Sequence, residues 1–137
     1  MASATAVATA PNSSRLVKIT FFIRKKDNLS HEEFHRYWSE EHSKIFLSVP
    51  IIRRNIVKYS QFHADNSIDL TKFGVNTVGY DGGASMWANS LEDLLAIFTD
   101  EEYLKIVVPD EEKFFNRAEV VTMVGWEEDK WENGKSL

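Results

Sequence analysis

The sequence of 137 residues contains no cysteine, which excludes disulfides, thiol nucleophiles, cysteine-bound zinc and iron–sulfur clusters. It has no apolar run near the roughly 18 residues that a membrane-spanning helix needs. Its 16 lysines and arginines are outnumbered by 21 aspartates and glutamates, whereas surfaces that bind nucleic acid or acidic membranes need clustered positive charge. We therefore expect an acidic cytoplasmic protein that binds neither nucleic acid nor membrane. The remaining composition, 43% apolar and 27% charged, is typical of one globular domain.

Residues 1–14 differ in composition from the rest of the chain. They are mostly alanine, serine and threonine, with no charged side chain. Burial of such a segment cannot offset the entropy lost on ordering it, so we predict a disordered N-terminal tail. We predict a single folded domain over residues 15–130. Within it, residues 64–83 are rich in Asp, Asn, Gly and Ser, which predicts a long loop of the kind that often serves as a lid or binding loop.

Hydrophobic periodicity indicates four strands and two helical regions in the predicted domain. Ser30 and Glu33 form a capping-box pattern, which predicts a helix from Ser30 toward Pro50. Ser90 opens a second, interrupted helical region with Leu91, Leu94, Leu95 and Phe98 on one face, and Asp110 is expected to cap its last turn. Alternating apolar residues predict the strands, over residues 16–24, 56–63, 84–89 and 118–126.

The order β-α-β-β-α-β predicts an α+β protein with the ferredoxin-like, split βαβ fold, in which both helices cover one face of an antiparallel sheet. We expect the other face of the sheet to be apolar too, and larger than a monomer leaves exposed. A second copy packed on that face would bury it, which predicts a homodimer and hence a dimeric α/β barrel. The residues that we assign to this face are Val17, Ile19, Phe21, Ile23, Val121 and Met123.

A literal H-E-x-x-H pattern runs from His31 to His35. In zinc proteases this pattern lies in mid-helix, so that two imidazoles on one face bind the metal beside a glutamate base. Here it follows the predicted cap Ser30 directly, which places His31 in the first turn, and no downstream motif places a third ligand. We therefore interpret it as two solvated histidines and expect no metal site and no metal dependence.

His42 is a stronger candidate for chemistry. At helical spacing its neighbours are Trp38, Ile45 and Phe46, so the imidazole faces the sheet. A histidine there either satisfies a hydrogen bond inside the core or moves a proton near neutral pH. Both interpretations remain open from the residue pattern alone.

Polar groups on the second strand could complete a pocket around His42. Tyr59 and His63 lie on one face of this strand, because side chains two and four residues apart point the same way. If that face meets the helices, it joins His42, Trp38 and Trp87 in a single pocket. The alternative is an amphipathic strand whose polar atoms reach solvent.

Several separated segments resemble proteins of the EthD-domain family. LSHEEFHRYWSEEHSKIF, residues 29–46, has the phenylalanine, the Tyr-Trp pair and the histidine four residues after the tryptophan of that family's helix signature. Tyr80-Asp81-Gly82 and SMWANSLEDLLAIFTDEEYLKIVVPDEEKFFNR, residues 85–117, are similar to the second half of fungal members, most recognisably at the run PDEE, residues 109–112. The resemblance extends from about residue 16 to residue 126 and implies the dimeric α/β-barrel fold.

The resemblance implies a cofactor-free decarboxylase of anthrone- or atrochrysone-type carboxylic acids in fungal aromatic polyketide biosynthesis. His42 would then be the general acid, with Tyr59 or His63 steering a substrate oxygen. Five residues would bind the aromatic polyketide: Phe34, Trp38, Trp87, Tyr103 and Asp110.

Relatives of the same fold act as cyclases, dehydratases or monooxygenases, and some bind haem, so the fold alone does not determine the reaction. Dehydration or cyclisation in the same pocket stays open, because each also moves one proton next to a carbonyl group. The alternative to an enzyme is a non-catalytic dimer that binds a ligand. A haem-binding dimer, with His42 as axial ligand, is a further alternative.

Overall fold

The computed structural model describes residues 15–137; the predicted tail, residues 1–14, lies outside the described residues. Four strands form one antiparallel sheet in the order β2-β3-β1-β4, and helical segments link β1 to β2 and β3 to β4. This arrangement confirms the predicted α+β, ferredoxin-like fold. The four strands are β1 (Val17–Ile23), β2 (Ile56–His63), β3 (Gly82–Ala88) and β4 (Val121–Gly125).

The first helical region begins as predicted, with the Ser30 hydroxyl accepting a hydrogen bond from the Glu33 amide. It then departs from a regular α-helix in two places that the sequence pattern did not indicate. The middle segment is π-helical, and a break at Val49 starts a further helix with Pro50 in its first turn. The segments are α1 (His31–Arg36), a π-helix (Tyr37–His42), α2 (Ser43–Ser48) and α3 (Pro50–Asn55).

The second helical region is interrupted, as expected, and starts at the Ser90 cap. Near its start Leu94 and Ile97 are buried, whereas Leu91 and Leu95 of the predicted apolar face are exposed. Ile97 lies three residues after Leu94, which matches the repeat of the 3₁₀ turn that follows Leu95. The segments are α4 (Leu91–Leu95), a 3₁₀-helix (Ala96–Thr99), a π-helix (Tyr103–Val107), α5 (Val108–Glu111) and a further 3₁₀-helix (Arg117–Glu119).

The register of the sheet corrects the predicted assignment of its faces. Ile19 pairs with Met86 on β3 and with Val124 on β4, and residues paired directly across an antiparallel sheet share a face. Ile19 and Met86 are both buried under the helices. Four of the six residues predicted for the opposite face therefore face the helices instead, namely Val17, Ile19, Phe21 and Ile23. Only Val121 and Met123 lie on the opposite face as predicted.

We call that opposite surface the outer face. Its apolar members include Phe62, 77% exposed, and Met123, 67% exposed. Trp87 also lies there, with the ammonium groups of Lys18 and Lys58 at 4.8 and 4.6 Å from the centre of its ring. The outer face consists of Lys18, Thr20, Phe22, Lys58, Ser60, Phe62, Gly83, Ser85, Trp87, Val121 and Met123.

Two remaining segments complete the described chain. Residues 64–81 form the expected long connection, with one 3₁₀ turn at Thr71–Phe73. A short hairpin that the sequence did not predict follows β4, with strands β5 (Trp131–Glu132) and β6 (Lys135–Ser136). None of the helices described over residues 15–137 is long and apolar enough to cross a membrane.

Candidate active site

A cavity of about 270 Å³ lies between the sheet and the helical layer. Its walls are mostly aliphatic and aromatic, and five titratable side chains reach it from both helical regions and from β2. The lining residues that carry the chemistry are His42, Tyr59, Tyr103, Glu111 and Arg117, and the main apolar ones are Phe21, Trp38, Phe46, Met86 and Phe115. An apolar cavity with a few convergent polar groups is the usual form of a small-molecule site.

His42 is buried at the end of the first π-helix, and its orientation is fixed by Asp110. The imidazole Nδ1 lies 2.7 Å from Asp110 Oδ2, and the Tyr37 hydroxyl donates to the other carboxylate oxygen. Because a carboxylate only accepts hydrogen bonds, His42 carries its proton on Nδ1. No group within residues 15–137 hydrogen-bonds Nε2, so this atom is free to act on a molecule in the cavity.

Burial determines the charge of His42. It lowers the pKa of His42 below the usual 6.5, and the hydrogen bond and charge of Asp110 offset that effect only in part. A neutral imidazole with an unprotonated Nε2 therefore prevails at neutral pH. Such a group is suited to accept a proton, whereas the family resemblance implied a proton donor.

Tyr59 reaches the cavity from β2, and its ring stacks on Phe46 with 4.5 Å between ring centres. Its hydroxyl oxygen accepts a hydrogen bond of 2.9 Å from the Gln61 amide, which also donates to the backbone carbonyl of Trp38. Burial raises the pKa of Tyr59, so the phenol stays protonated. The hydroxyl can therefore donate a hydrogen bond to a ligand oxygen.

Glu111 is the second proton-transfer group of the cavity. Burial raises its pKa to about 7, although Arg117 and Tyr103 lower it in part. Arg117 forms an ion pair with Oε1, and the Tyr103 hydroxyl donates to Oε2 over 3.3 Å. A carboxyl group that titrates near neutral pH can deliver a proton at one stage and be stabilised by Arg117 after losing it.

The structure brings half of the eight predicted site residues to the cavity, namely His42, Tyr59, Trp38 and Tyr103. Asp110 lies behind His42 and touches it instead of capping the last turn. Phe34 is fully buried behind Trp38, with 5.7 Å between their ring centres.

The remaining two predicted residues lie elsewhere. Trp87 lies on the outer face, since its register partner is Lys18, so its predicted place in the same pocket is wrong. His63 points to the helix side, one of the two orientations left open for β2, but lies against His35 at a separate surface recess. The register between neighbouring strands decides both positions, and alternation within one strand does not reveal that register.

Sequence reasoning missed four residues of the site: Glu111, Arg117, Gln61 and Tyr37. The run PDEE offered a signal for one of them, because it places Asp110 and Glu111 next to each other on one helical turn. Gln61 was also signalled, because alternation places it between Tyr59 and His63 on the same face of β2. Nothing in the sequence indicated the ion pair of Arg117 with Glu111, six residues earlier.

The H-E-x-x-H residues lie at the helix start, as expected. His31 is exposed, with Nδ1 3.4 Å from Asp81 Oδ1. His35 instead turns toward β2 and contacts His63. Among residues 15–137, no three histidine, aspartate or glutamate side chains converge in a way that could hold a metal ion.

Comparison with known proteins supports the fold and identifies the family. The chain is 25% identical over 134 residues, 93% of this chain and 94% of the relative, to a conidial pigment biosynthesis dehydratase EthD from Metarhizium robertsii. A hydroxynitrile lyase from Passiflora edulis has a similar structure at 14% identity and a TM-score of 0.56, covering 85% of this chain and 97% of that one.

A dimeric protein of unknown function with a ferredoxin-like fold, from Bacteroides fragilis, is similar at 12% identity and a TM-score of 0.56. This match covers 82% of the present chain and 96% of the other. At these identities the structural likeness establishes the fold alone. The model of the EthD domain matches residues 26–118, more than half of the sequence, and the chain therefore belongs to the EthD domain family.

Proposed function

We propose that this protein is a lyase of aromatic polyketide metabolism, and that it dehydrates a β-hydroxy ketone intermediate without a cofactor. The observation that carries the proposal is the presence of a base and an acid in one apolar cavity. His42 is oriented by Asp110 with Nε2 open, and buried Glu111 has a pKa of about 7. The relative named as a pigment biosynthesis dehydratase supports the same class of reaction.

The proposed reaction starts at the carbon between the ketone and the hydroxyl-bearing carbon. His42 Nε2 takes a proton from it, and the electron pair moves toward the ketone oxygen, which accepts a hydrogen bond from the Tyr59 hydroxyl. Glu111 then protonates the leaving hydroxyl group. The carbon–oxygen bond breaks, water departs, and a carbon–carbon double bond remains.

The cavity supports both proton transfers of this reaction. Trp38 and Phe46 offer flat apolar surfaces to an aromatic substrate, and excluding water from the cavity strengthens its hydrogen bonds. After turnover, His42 carries a proton and Glu111 a negative charge. Arg117 stabilises the carboxylate until the proton returns through solvent.

Decarboxylation is the reaction that the sequence resemblance implied, and it remains a testable alternative. Loss of carbon dioxide needs an acid next to the oxygen or carbon atom that receives the electron pair. Glu111 could act as that acid. His42 is less suited to it than expected, because burial keeps the imidazole neutral. We therefore propose the base role for His42 in place of the acid role.

The direct experiment incubates the purified protein with aromatic β-hydroxy ketones and with aromatic β-keto acids, and follows loss of water and of carbon dioxide by mass spectrometry. We expect loss of water that disappears in His42→Ala and persists in the matched control His31→Ala. Loss of carbon dioxide with no loss of water would contradict dehydration and favour the decarboxylase.

A second experiment isolates the base. A substrate analogue that lacks the leaving hydroxyl group should exchange its acidic carbon-bound hydrogen with deuterium in heavy water when wild-type protein is added. Glu111→Gln should retain this exchange, since Glu111 acts only on the leaving group. If the wild-type protein left deuterium exchange at its uncatalysed rate, the role of His42 as base would be contradicted.

We also propose that the protein acts as a homodimer formed through the outer face. Phe62, Val121 and Met123 are exposed on it, and an apolar patch of this kind is usually covered in the functional assembly. The structurally similar Bacteroides fragilis protein described as dimeric supports this proposal.

A further inference from the structure

A chain of hydrogen bonds connects the cavity to a surface recess lined by His31, His35 and His63. His35 Nδ1 lies 2.7 Å from His63 Nδ1, and His63 Nε2 lies 2.9 Å from Gln61 Oε1. Gln61 Nε2 is in turn 2.9 Å from the Tyr59 hydroxyl. The four side chains come from only two elements, α1 and β2, and they end at a group that faces the cavity.

The backbone carbonyl of Trp38 fixes the direction of every bond in this chain. It can only accept, so the Gln61 atom 2.9 Å away is the amide nitrogen, and the other side-chain atom is the oxygen. A reversed amide would place two acceptors against each other. Because Gln61 Oε1 also only accepts, His63 must carry a proton on Nε2.

The same logic determines the histidine pair and the phenol. A neutral His63 protonated on Nε2 has a bare Nδ1, so His35 must donate from its own Nδ1. At the other end, the Tyr59 oxygen already accepts from Gln61. No acceptor for its own proton is present within residues 15–137, so that proton points to the cavity.

We infer that His35, His63 and Gln61 are positioning residues that hold the Tyr59 hydroxyl as a hydrogen-bond donor toward the substrate oxygen. None of the three lines the cavity, and each acts through the next. The inference deepens the proposed function and rests on it for the identity of that oxygen, which is the ketone oxygen of the substrate. His63 is thus assigned to orienting the catalytic phenol, not to contacting the substrate.

The charge state of the histidine pair agrees with this arrangement. Burial lowers the pKa of His35 and of His63, so both rings are neutral at neutral pH. Asp81, Asp65 and His31 are the other titratable groups near the pair. Two imidazolium rings could not keep the 2.7 Å contact between Nδ1 atoms, because both atoms would carry protons.

The first test needs no substrate. The chain has four histidines, and ¹⁵N spectra of the imidazole rings report which nitrogen of each carries the proton. At neutral pH we expect His63 protonated on Nε2 and His35 on Nδ1, with the signals assigned from His63→Ala and His35→Ala. Protonation of His63 on Nδ1, or of His35 on Nε2 alone, would overturn the inference even if the protein is a dehydratase.

The second test is a double-mutant cycle on turnover. Gln61→Leu removes the donor to Tyr59 at similar volume, and we expect kcat to fall about tenfold with little change in KM, the effect of one misdirected hydrogen bond. Tyr59→Phe should lower kcat at least as much. The double variant should be no slower than Tyr59→Phe, because Gln61 acts only through that hydroxyl.

The matched control is Ser60→Ala, on the same strand but on the outer face, which should leave kcat unchanged. Effects of Gln61→Leu and Tyr59→Phe that multiply would overturn the positioning role. If the wild-type protein dehydrates no aromatic β-hydroxy ketone, the proposed function fails, and the imidazole spectra still decide the hydrogen-bond chain.

Discussion

His42 Nδ1 lies 2.7 Å from Asp110 Oδ2, although the two residues are 68 positions apart in the chain. The first lies at the end of a π-helix and the second in the single turn of α5. Both are nearly inaccessible to solvent, with side chains 5% and 4% exposed. Burying such a pair costs desolvation energy, so stabilising the fold does not explain it. We infer that Asp110 is there to orient His42.

Removal of the His42 side chain should abolish most of the activity. His42→Ala should reduce turnover by roughly 10²–10⁴, the usual contribution of general acid–base catalysis. The free energy of unfolding should fall by only about 1–3 kcal/mol, as for other buried hydrogen-bonding groups. His42→Gln retains a hydrogen-bonding group that cannot titrate, and should be as inactive. Rates and thermal unfolding measured on the same preparations check this; a less stable variant with wild-type turnover would assign His42 a structural role only.

Asp110→Asn tests the orientation of the base. The amide has nearly the same shape but can donate to Nδ1, which would move the proton of His42 to Nε2 and block the base. We expect kcat to fall by roughly 10² or more while the fold is retained in circular dichroism. Tyr37→Phe is the control, because it removes one donor to Asp110 and leaves the contact with His42 intact. Equal losses in the two variants would argue against a tautomer effect.

The pH profile of kcat/KM should be bell-shaped. His42 must be unprotonated, and burial holds its pKa below 6.5, so activity should rise with pH through that lower value. Glu111 must be protonated, and its pKa is about 7, so activity should fall as pH rises past it. Glu111→Gln should lower the maximal rate and remove the alkaline decline. A decline that persists in this variant would place the acid elsewhere.

Gly82→Ala should destabilise the protein. A Cβ atom at residue 82 would come within 2.7 Å of Trp38 Cη2, in the wall of the cavity, and crowding of this kind typically costs about 1–3 kcal/mol. Gly83→Ala is the matched control, because its nearest neighbour, Thr20 Cγ2, would be at an ordinary 3.5 Å. Thermal unfolding of the two variants compares them directly, and equal melting temperatures would contradict the close packing of Trp38.

Val121→Asp should separate the proposed homodimer. Val121 is 48% exposed on the outer face, and a charge buried without a partner in an interface is strongly unfavourable. Leu91→Asp is the control, since Leu91 is 45% exposed on α4, away from that face. Sedimentation velocity should give a dimer for wild type and Leu91→Asp and a monomer for Val121→Asp. A wild-type monomer would rule out the dimer.

The sequence by itself determined the order of the elements and the apolar helical face on which His42 lies beside Trp38 and Phe46. Strand β2 runs over Ile56–His63, as its alternating pattern predicted, and the caps Ser30 and Ser90 lie where the local sequence placed them. These features depend on contacts between residues close in the chain, so periodicity and capping chemistry reveal them. The ferredoxin-like fold then follows from the order of the strands and helices.

Only the tertiary structure decided which face each strand buries and which side chains of the site meet. The alternation of β1 shows that one face is apolar, but pairing with β3 and β4 turns that face toward the helices and puts Trp87 outside. The contacts His42–Asp110 and Glu111–Arg117 depend on the path of the second helical region, which changes between α, 3₁₀ and π geometry. Such changes rotate every later side chain about the helix axis, and local sequence preference does not fix where they occur.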